Sequence, residues 1–504
     1  MEGLSRKVSK GALWITLSRL VTQSVGFVVG MVLARLLTPT DYGTLALLSI
    51  FFAIAGSLAS CGFGNALIQR KDAGDLEFNS VFYTSLVVAL FVYALMFFAA
   101  PYIAQFYDTP VLCPVTRVSA LQFILSAINS IQGAELSRKM LFDKQFKINM
   151  VTCLVSAIFG VLLAYLGYGV WALVWSSLLT SISGIIASWT IVAWRPKLMY
   201  SFSTVRGLFS YGWKLSVSGL IHTTYMNLYG FLVGKVYTPA DLAYVNKGRS
   251  MPNLLMSTID GTILGVSFPA LAKMQDDIPR LRSAMRRMIK CSTFLVFPTL
   301  TGLAACARPM ILLLYGDQWG PAIPYVLVAC FSFALWPINS INTSAISAMG
   351  RPGVYLLLEC IKKGVGVLIM LVSIRYGVMI FMLSMAFIMS PFGVFVNTFA
   401  NGRLLGYRLG AQLADMLPSA CLCVVMYGVA VLAQMGVRYA FNDLLPAPIL
   451  MAISLVASFS VGATCYFGLA FVFRVDAMKE YCNALSQRLH GRIPFAAKLL
   501  ERMI

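Results

Sequence analysis

Four ionisable side chains stand well inside long apolar stretches of the sequence: Arg19, Lys247, Arg249 and Asp260. A charge at such a depth costs a few kcal/mol to insert into a bilayer, so each is a candidate site. Arg19 lies about eight residues into its stretch, roughly 12 Å from the start, too deep for a simple interfacial anchor. Arginine carries a planar fork of donors suited to phosphate-type anions, and lysine a compact point charge. Asp260 is the one acidic residue at the middle of such a stretch. A neutralised or ion-paired carboxylate is what proton or sodium coupling needs, although a static pair with a neighbouring helix explains it equally well.

Lys214 and His222 are eight residues apart, which places them within about 80° of each other on one broad helical face. They are candidates for a shared cavity face. A snorkelling lysine and a hydrogen-bonded histidine are the plainer explanations. Glu359, Lys362 and Lys363 have i,i+3 and i,i+4 spacing, which more often marks the amphipathic entry of a helix than a site.

The elements that must position these groups follow from composition. Of 504 residues, 59% are hydrophobic and 12% charged, and the mean hydropathy is +0.80. Spanning a hydrocarbon core takes roughly 20 mainly apolar residues. Fourteen stretches qualify: 11–36, 42–69, 78–100, 112–134, 148–166, 169–193, 211–236, 242–268, 288–314, 321–347, 354–374, 376–399, 412–435 and 447–473. The expected fold class is therefore an all-α membrane protein of 14 transmembrane helices, with no room for a soluble domain.

A net charge of +20 would suggest nucleic acid in a soluble protein, so its placement decides. Lys and Arg collect in alternate connections, with six of them between Lys273 and Lys290, while the segments Thr38–Asp41, Tyr102–Cys113, Leu166–Gly169, Thr238–Asp241 and Gly316–Pro321 have none. That alternation sets topology rather than binding a nucleic acid, and it puts both termini in the cytoplasm. The N-terminus is too polar for a cleaved signal peptide. Eleven scattered cysteines give neither a disulfide framework nor metal-ligand spacing.

The chain repeats itself. LARLLTPTDYG at 33–43 matches VGKVYTPADLA at 233–243, INSIQ at 128–132 matches INSIN at 338–342, and Tyr168-Gly169-Val170 matches Tyr376-Gly377-Val378. Two six-helix lobes result, residues 1–200 and 201–402, followed by two further helices over 403–473 and a cytoplasmic amphipathic tail over 474–504. Six is even, so the repeats are parallel and related by an axis along the membrane normal. In the T-P-x-D turn, proline ends the first helix of each lobe and aspartate caps the second. Lys247 and Arg249 correspond to Leu47 and Ser49, so the duplication did not merely copy a structural charge. Gly26 and Gly30 have the spacing of helix-packing positions.

The K-G-A-x-W helix start, LARLLTPTDYG and GFGNALIQRKD at 62–72 resemble the Wzx-like oligosaccharide flippases, in the polysaccharide-transporter branch of the multidrug/oligosaccharidyl-lipid/polysaccharide (MOP) exporter superfamily. Within that branch the chain is most similar to the colanic-acid type exporters. The resemblance implies two bundles around a central cavity that opens alternately to each side of the bacterial inner membrane. It also implies export of a polyprenyl-pyrophosphate-linked oligosaccharide repeat unit for surface polysaccharide biosynthesis. The polymerase and export machinery of that pathway would be its partners, alongside membrane lipids.

On that reading Arg19, Arg249, Lys247, Lys214 and His222 are candidates for the pyrophosphate, and Asp260 for Na+ or H+ coupling. Asn129, Gln132, Asn339 and Asn342 place amides at the same point of both lobes, where they could hold sugar or tie helices together. No Gly-rich phosphate loop, nucleophile motif or large catalytic loop is present in the sequence, so neither an enzyme of the pathway nor an ATP-driven pump is expected, and no cofactor. A drug-cation antiporter of the same superfamily is the nearest rival; it should favour carboxylates over cations in its cavity.

Overall fold

The computed structural model describes residues 2–60, 67, 74–441 and 443–489. Among them there are helices and no strand, as lipid requires of a chain whose backbone groups must be satisfied within each segment. In chain order the helices are α1 (Glu2–Leu36), α2 (Pro39–Leu47), α3 (Ser49–Ser60), α4 (Asp75–Phe106), α5 (Leu112–Ser119), α6 (Leu121–Arg138), α7 (Phe142–Tyr165), α8 (Val170–Ile191) and α9 (Phe202–Val236). There follow α10 (Pro239–Ala272), α11 (Ile278–Ala305), α12 (Ala307–Tyr315), α13 (Ile323–Ala334), α14 (Trp336–Ala348), α15 (Pro352–Ser373), α16 (Val378–Ser384), α17 (Ser390–Leu405), α18 (Leu409–Phe441), α19 (Ala447–Val472) and α20 (Asp476–Leu489).

Each of the fourteen expected stretches overlaps one or more of these helices. Among the described residues, eleven helical segments are long and apolar enough to span, or twelve if α2 and α3, bent by 41°, form one broken span. The helix α15 falls outside that set. Its middle carries Glu359, Lys362 and Lys363, so apolarity alone does not mark it as a span. Prolines interrupt several helices from within, among them Pro101 in α4, Pro252 and Pro269 in α10, and Pro298 in α11. Between α16 and α17 a π-turn over Met385–Met389 inserts an extra residue, a local departure of the kind that bends helices.

Both copies of the repeated turn close the same way. Thr38 donates its backbone N–H to Asp41 Oδ2 at 3.0 Å, and Asp41 N–H returns to Thr38 Oγ1 at 3.3 Å. At Thr238 and Asp241 the corresponding distances are 3.1 and 3.2 Å. The threonine is thus the N-cap and the aspartate the reciprocal partner in a capping box, with proline in the first helical position, where its missing N–H costs nothing. Gly169 and Gly377, equivalent residues of the Y-G-V repeat, both take positive φ, +53° and +107°, immediately before α8 and α16.

By packing the chain divides into Met1–Ala243 and Tyr244–Ile504. In the first unit α7 packs against both α8 and α1, and α6 against α4 and α8. The helix α9 lies along α3 and α4 and so belongs by packing to this unit. Phe231 of α9 stacks on Phe106 at 5.4 Å, with Phe51 and Tyr107 edge-on to it. Gly26 and Gly30, expected to be packing positions, face open space, with no heavy atom of a described residue within 4 Å of a Cβ built on either.

In the second unit α18 and α19 form an antiparallel pair, and α18 packs along α11. A core of Met285, Ile289, Phe294, Ile338, Val394 and Tyr466 joins them. Tyr466, fully buried, donates its hydroxyl to the Phe294 carbonyl at 3.0 Å. Asp415 is buried in α18 and takes a bidentate bond from Arg286, 2.6 Å from Nε and 2.8 Å from Nη2, with the Tyr407 hydroxyl at 2.8 Å. Finally α20 docks on α11 through Arg287 to Glu480 and Lys290 to Asp476, both at 2.7 Å.

Candidate functional site

The helix α10 carries three of the four intramembrane charges, and its periodicity sorts them. Arg249 and Asp260 are eleven residues apart, close to three full turns, and so share a face about 16 Å long. Lys247, two residues before Arg249, points to the other side. Contacts agree with this division. The Lys247 ammonium lies 3.8 Å over the Tyr315 ring and 5.2 Å from that of fully buried Trp319, while the Arg249 guanidinium lies 5.6 Å over Phe333. Attraction of a cation to the face of an aromatic ring lowers the cost of holding each charge away from water.

Arg249 and Asp260 meet one aromatic wall. Phe333 stacks on Trp336 with centroids 5.6 Å apart, and the Trp336 indole N–H donates to Asp260 Oδ2 at 3.0 Å. Ser340, one turn further along α14, stands beside the same carboxylate. The Asp260 carboxylate is therefore oriented by a neutral donor, an arrangement compatible with either a charged or a protonated group.

In the first unit Arg19 is exposed on α1 and His222 exposed on α9. The side chain of Lys214 lies outside the described residues. Asn129 accepts from the Ser188 hydroxyl. Gln132, fully buried, satisfies the Ile128 carbonyl at 3.0 Å and the Trp189 indole N–H at 2.8 Å, so these two amides tie α6 to α8.

The corresponding amides of the second unit divide between two roles. Asn342 is fully buried and exchanges hydrogen bonds with Gln412 at 3.0 and 3.1 Å, while Asn401 donates to it at 2.8 Å. This network joins α14, α17 and α18. Asn339, half-buried, accepts from Asn397 at 3.2 Å and lines a cavity. Glu359 and Lys362, whose spacing suggested the amphipathic entry of a helix, form an ion pair on the opposite wall of that cavity. Their i,i+3 spacing was visible, but spacing alone does not distinguish an interfacial helix from a lined pocket.

The helical architecture, with its many long apolar segments and duplicated turns, is that of a multi-pass membrane protein with a charged, aromatic-lined face on α10. A family profile described as "Polysaccharide biosynthesis protein" matches residues 32–324, and the chain belongs to that family. Teichuronic acid biosynthesis protein TuaB of Bacillus subtilis is 23% identical over 483 residues, covering 92% of this chain and 95% of the relative. Lipopolysaccharide biosynthesis protein WzxC of Escherichia coli is 25% identical over 360 residues, covering 69% of this chain and 71% of its own length. Among solved structures, the lipid II flippase MurJ in an inward closed conformation superposes with a TM-score of 0.67 at 14% identity, over 92% of this chain and 99% of its own. At that identity the superposition speaks to the fold.

Proposed function

We propose that the protein is a flippase. It carries a polyprenyl-pyrophosphate-linked oligosaccharide repeat unit from the cytoplasmic to the periplasmic leaflet of a bacterial inner membrane, without covalent chemistry, and both its termini are cytoplasmic. The observation that carries the reading is the shared face of α10, on which a half-buried Arg249 and a hydrogen-bonded Asp260 flank one aromatic wall. A guanidinium held away from bulk water offers charge-assisted bonds worth about 1.5–3 kcal/mol each to phosphate oxygens, enough to offset part of their desolvation without preventing release. The names of TuaB, WzxC and MurJ support a glycan-lipid substrate.

Asp260 supplies the energetic link in this proposal. Binding a proton or a sodium ion changes the charge on the face that Asp260 shares with Arg249 and so biases one arrangement of the transporter over another. Polymerase and export proteins of the same pathway would receive the product. The test is mass analysis of the lipid-linked sugars in the inner leaflet of cells depleted of the protein. Accumulation of one polyprenyl-pyrophosphate oligosaccharide is expected; an unchanged lipid-linked pool would overturn the proposal.

A further inference from the structure

A cavity of about 460 Å³ opens in the second unit between α14 and α15, within the range of about 300–1,000 Å³ usual for small-molecule sites. Two polar stripes face each other across it. Asn339, Thr343 and Ser347 recur every four residues along α14, and Tyr355, Glu359 and Lys362 follow at i, i+4 and i+7 along α15, on one helical face. The α14 stripe is braced from behind: Asn397 of α17, almost wholly buried, donates to Asn339 Oδ1 and to Thr343 Oγ1, each at 3.2 Å.

We propose that this cavity is a saccharide subsite, which receives a sugar of the lipid-linked substrate; the inference rests on the flippase reading above. The lining joins four aliphatic hydroxyls, an amide and a phenol to a carboxylate and an ammonium that neutralise one another, so donors and acceptors are present together without net charge. That combination matches vicinal sugar hydroxyls, each of which must both give and receive a hydrogen bond. Tyr355 adds a ring on which the apolar face of a sugar can lie. The ion pair is shielded, with 25% of the Glu359 side chain and 13% of that of Lys362 exposed. A scaffold has no need of such a pair: the repeat offset of 208 to 210 residues puts uncharged Asn149–Val151 and Thr152–Leu154 in the equivalent places of the first lobe. Ser340 stands beside Asp260 and also lines the cavity, so the subsite adjoins the charged face of α10.

The test compares two lipids by native mass spectrometry of the purified full-length protein. One is bare polyprenyl pyrophosphate, the other the glycosylated lipid extracted from depleted cells. The wild type should prefer the glycosylated lipid. Glu359→Gln should cut that preference about tenfold and the shape-conserving Thr343→Val about threefold, with affinity for the bare lipid unchanged. A wild-type protein that binds both lipids equally, variants that keep the wild-type preference, or variants that weaken both lipids alike would each overturn the subsite and leave the flippase reading standing. Failure of the wild type to bind either lipid would remove the flippase reading and this inference together.

Discussion

Gly43 and Pro239 meet backbone to backbone: a Cβ built on Gly43 would lie 1.8 Å from the Pro239 carbonyl oxygen. Each belongs to one copy of the repeated T-P-x-D segment, so the two turns are in direct contact within the first packing unit. The second copy has Ala243 where the first has Gly43, so the contact is not symmetric in sequence.

Gly43→Ala should therefore force the two turns apart, because the neighbour is backbone and cannot rotate away. Overpacking of this kind costs about 1–3 kcal/mol, which a lower melting temperature of the purified protein would report. Gly26→Ala and Gly30→Ala, where a Cβ meets open space, serve as matched controls and should melt like the wild type or slightly above it. Equal melting temperatures for Gly43→Ala and the wild type would mean that the turns separate freely.

Replacement of Asp415 by Asn should destabilise the second unit by about 1–3 kcal/mol, since the buried Tyr407 hydroxyl loses a charged acceptor and Arg286 its bidentate partner. Arg286→Lys should recover only part of the loss of Arg286→Ala, because the ammonium keeps the charge and loses the fork. Denaturation in detergent of the three variants beside the wild type gives the order. Equal stability of Arg286→Ala and the wild type would refute it.

The flippase proposal expects Arg19 and Arg249 to act on the substrate rather than on folding. The Arg19→Ala, Arg249→Ala double variant should reach the membrane at normal levels and lose most flipping of the lipid-linked sugar; lysine at either position should restore a fraction. Normal flipping by the stably inserted double variant would remove both residues from the site.

Acid should release α20. The Lys290 ammonium, 2.7 Å away, holds the Asp476 carboxyl below the usual carboxylate range. A depressed folded-state pKa gives a contribution that is fully present above the unfolded value of about 4 and is lost as pH falls through the folded one. Spin labels on α11 and α20 should keep a constant separation from about pH 7 to pH 5 and broaden below about pH 4. A distance distribution that stays narrow down to pH 2 would show that other contacts hold the helix.

What was legible in the sequence was local or periodic. The capping boxes at Thr38 and Thr238 could be read because donor and acceptor are three residues apart, although which of the pair is the N-cap emerged only from the hydrogen bonds. The common face of Arg249 and Asp260 is arithmetic on one helix. Contacts that close over distance were not legible: Arg286 finds Asp415 across 129 residues, and no spacing rule reaches that far. Glu359 and Lys362 show the opposite difficulty, since their spacing fits a membrane-surface helix as well as a cavity wall. The amides sorted by burial, which a linear pattern does not carry: Gln132 and Asn342 face neighbouring helices, and Asn339 faces open volume.

The docking of α20 on α11 sets an order on biosynthesis. Arg287 and Lys290 emerge from the ribosome 193 and 186 residues before the carboxylates that pair with them. At about 5–20 residues per second, roughly 10–40 s pass during which that cationic surface is uncovered, on the proposed topology beside the anionic headgroups of the cytoplasmic leaflet. Lipid phosphates are its available counterions in that interval, and Glu480 and Asp476 must displace them when they arrive. The second packing unit is thus sealed as a late event, by exchange of lipid for protein charge, after every helix that precedes α20 has been made.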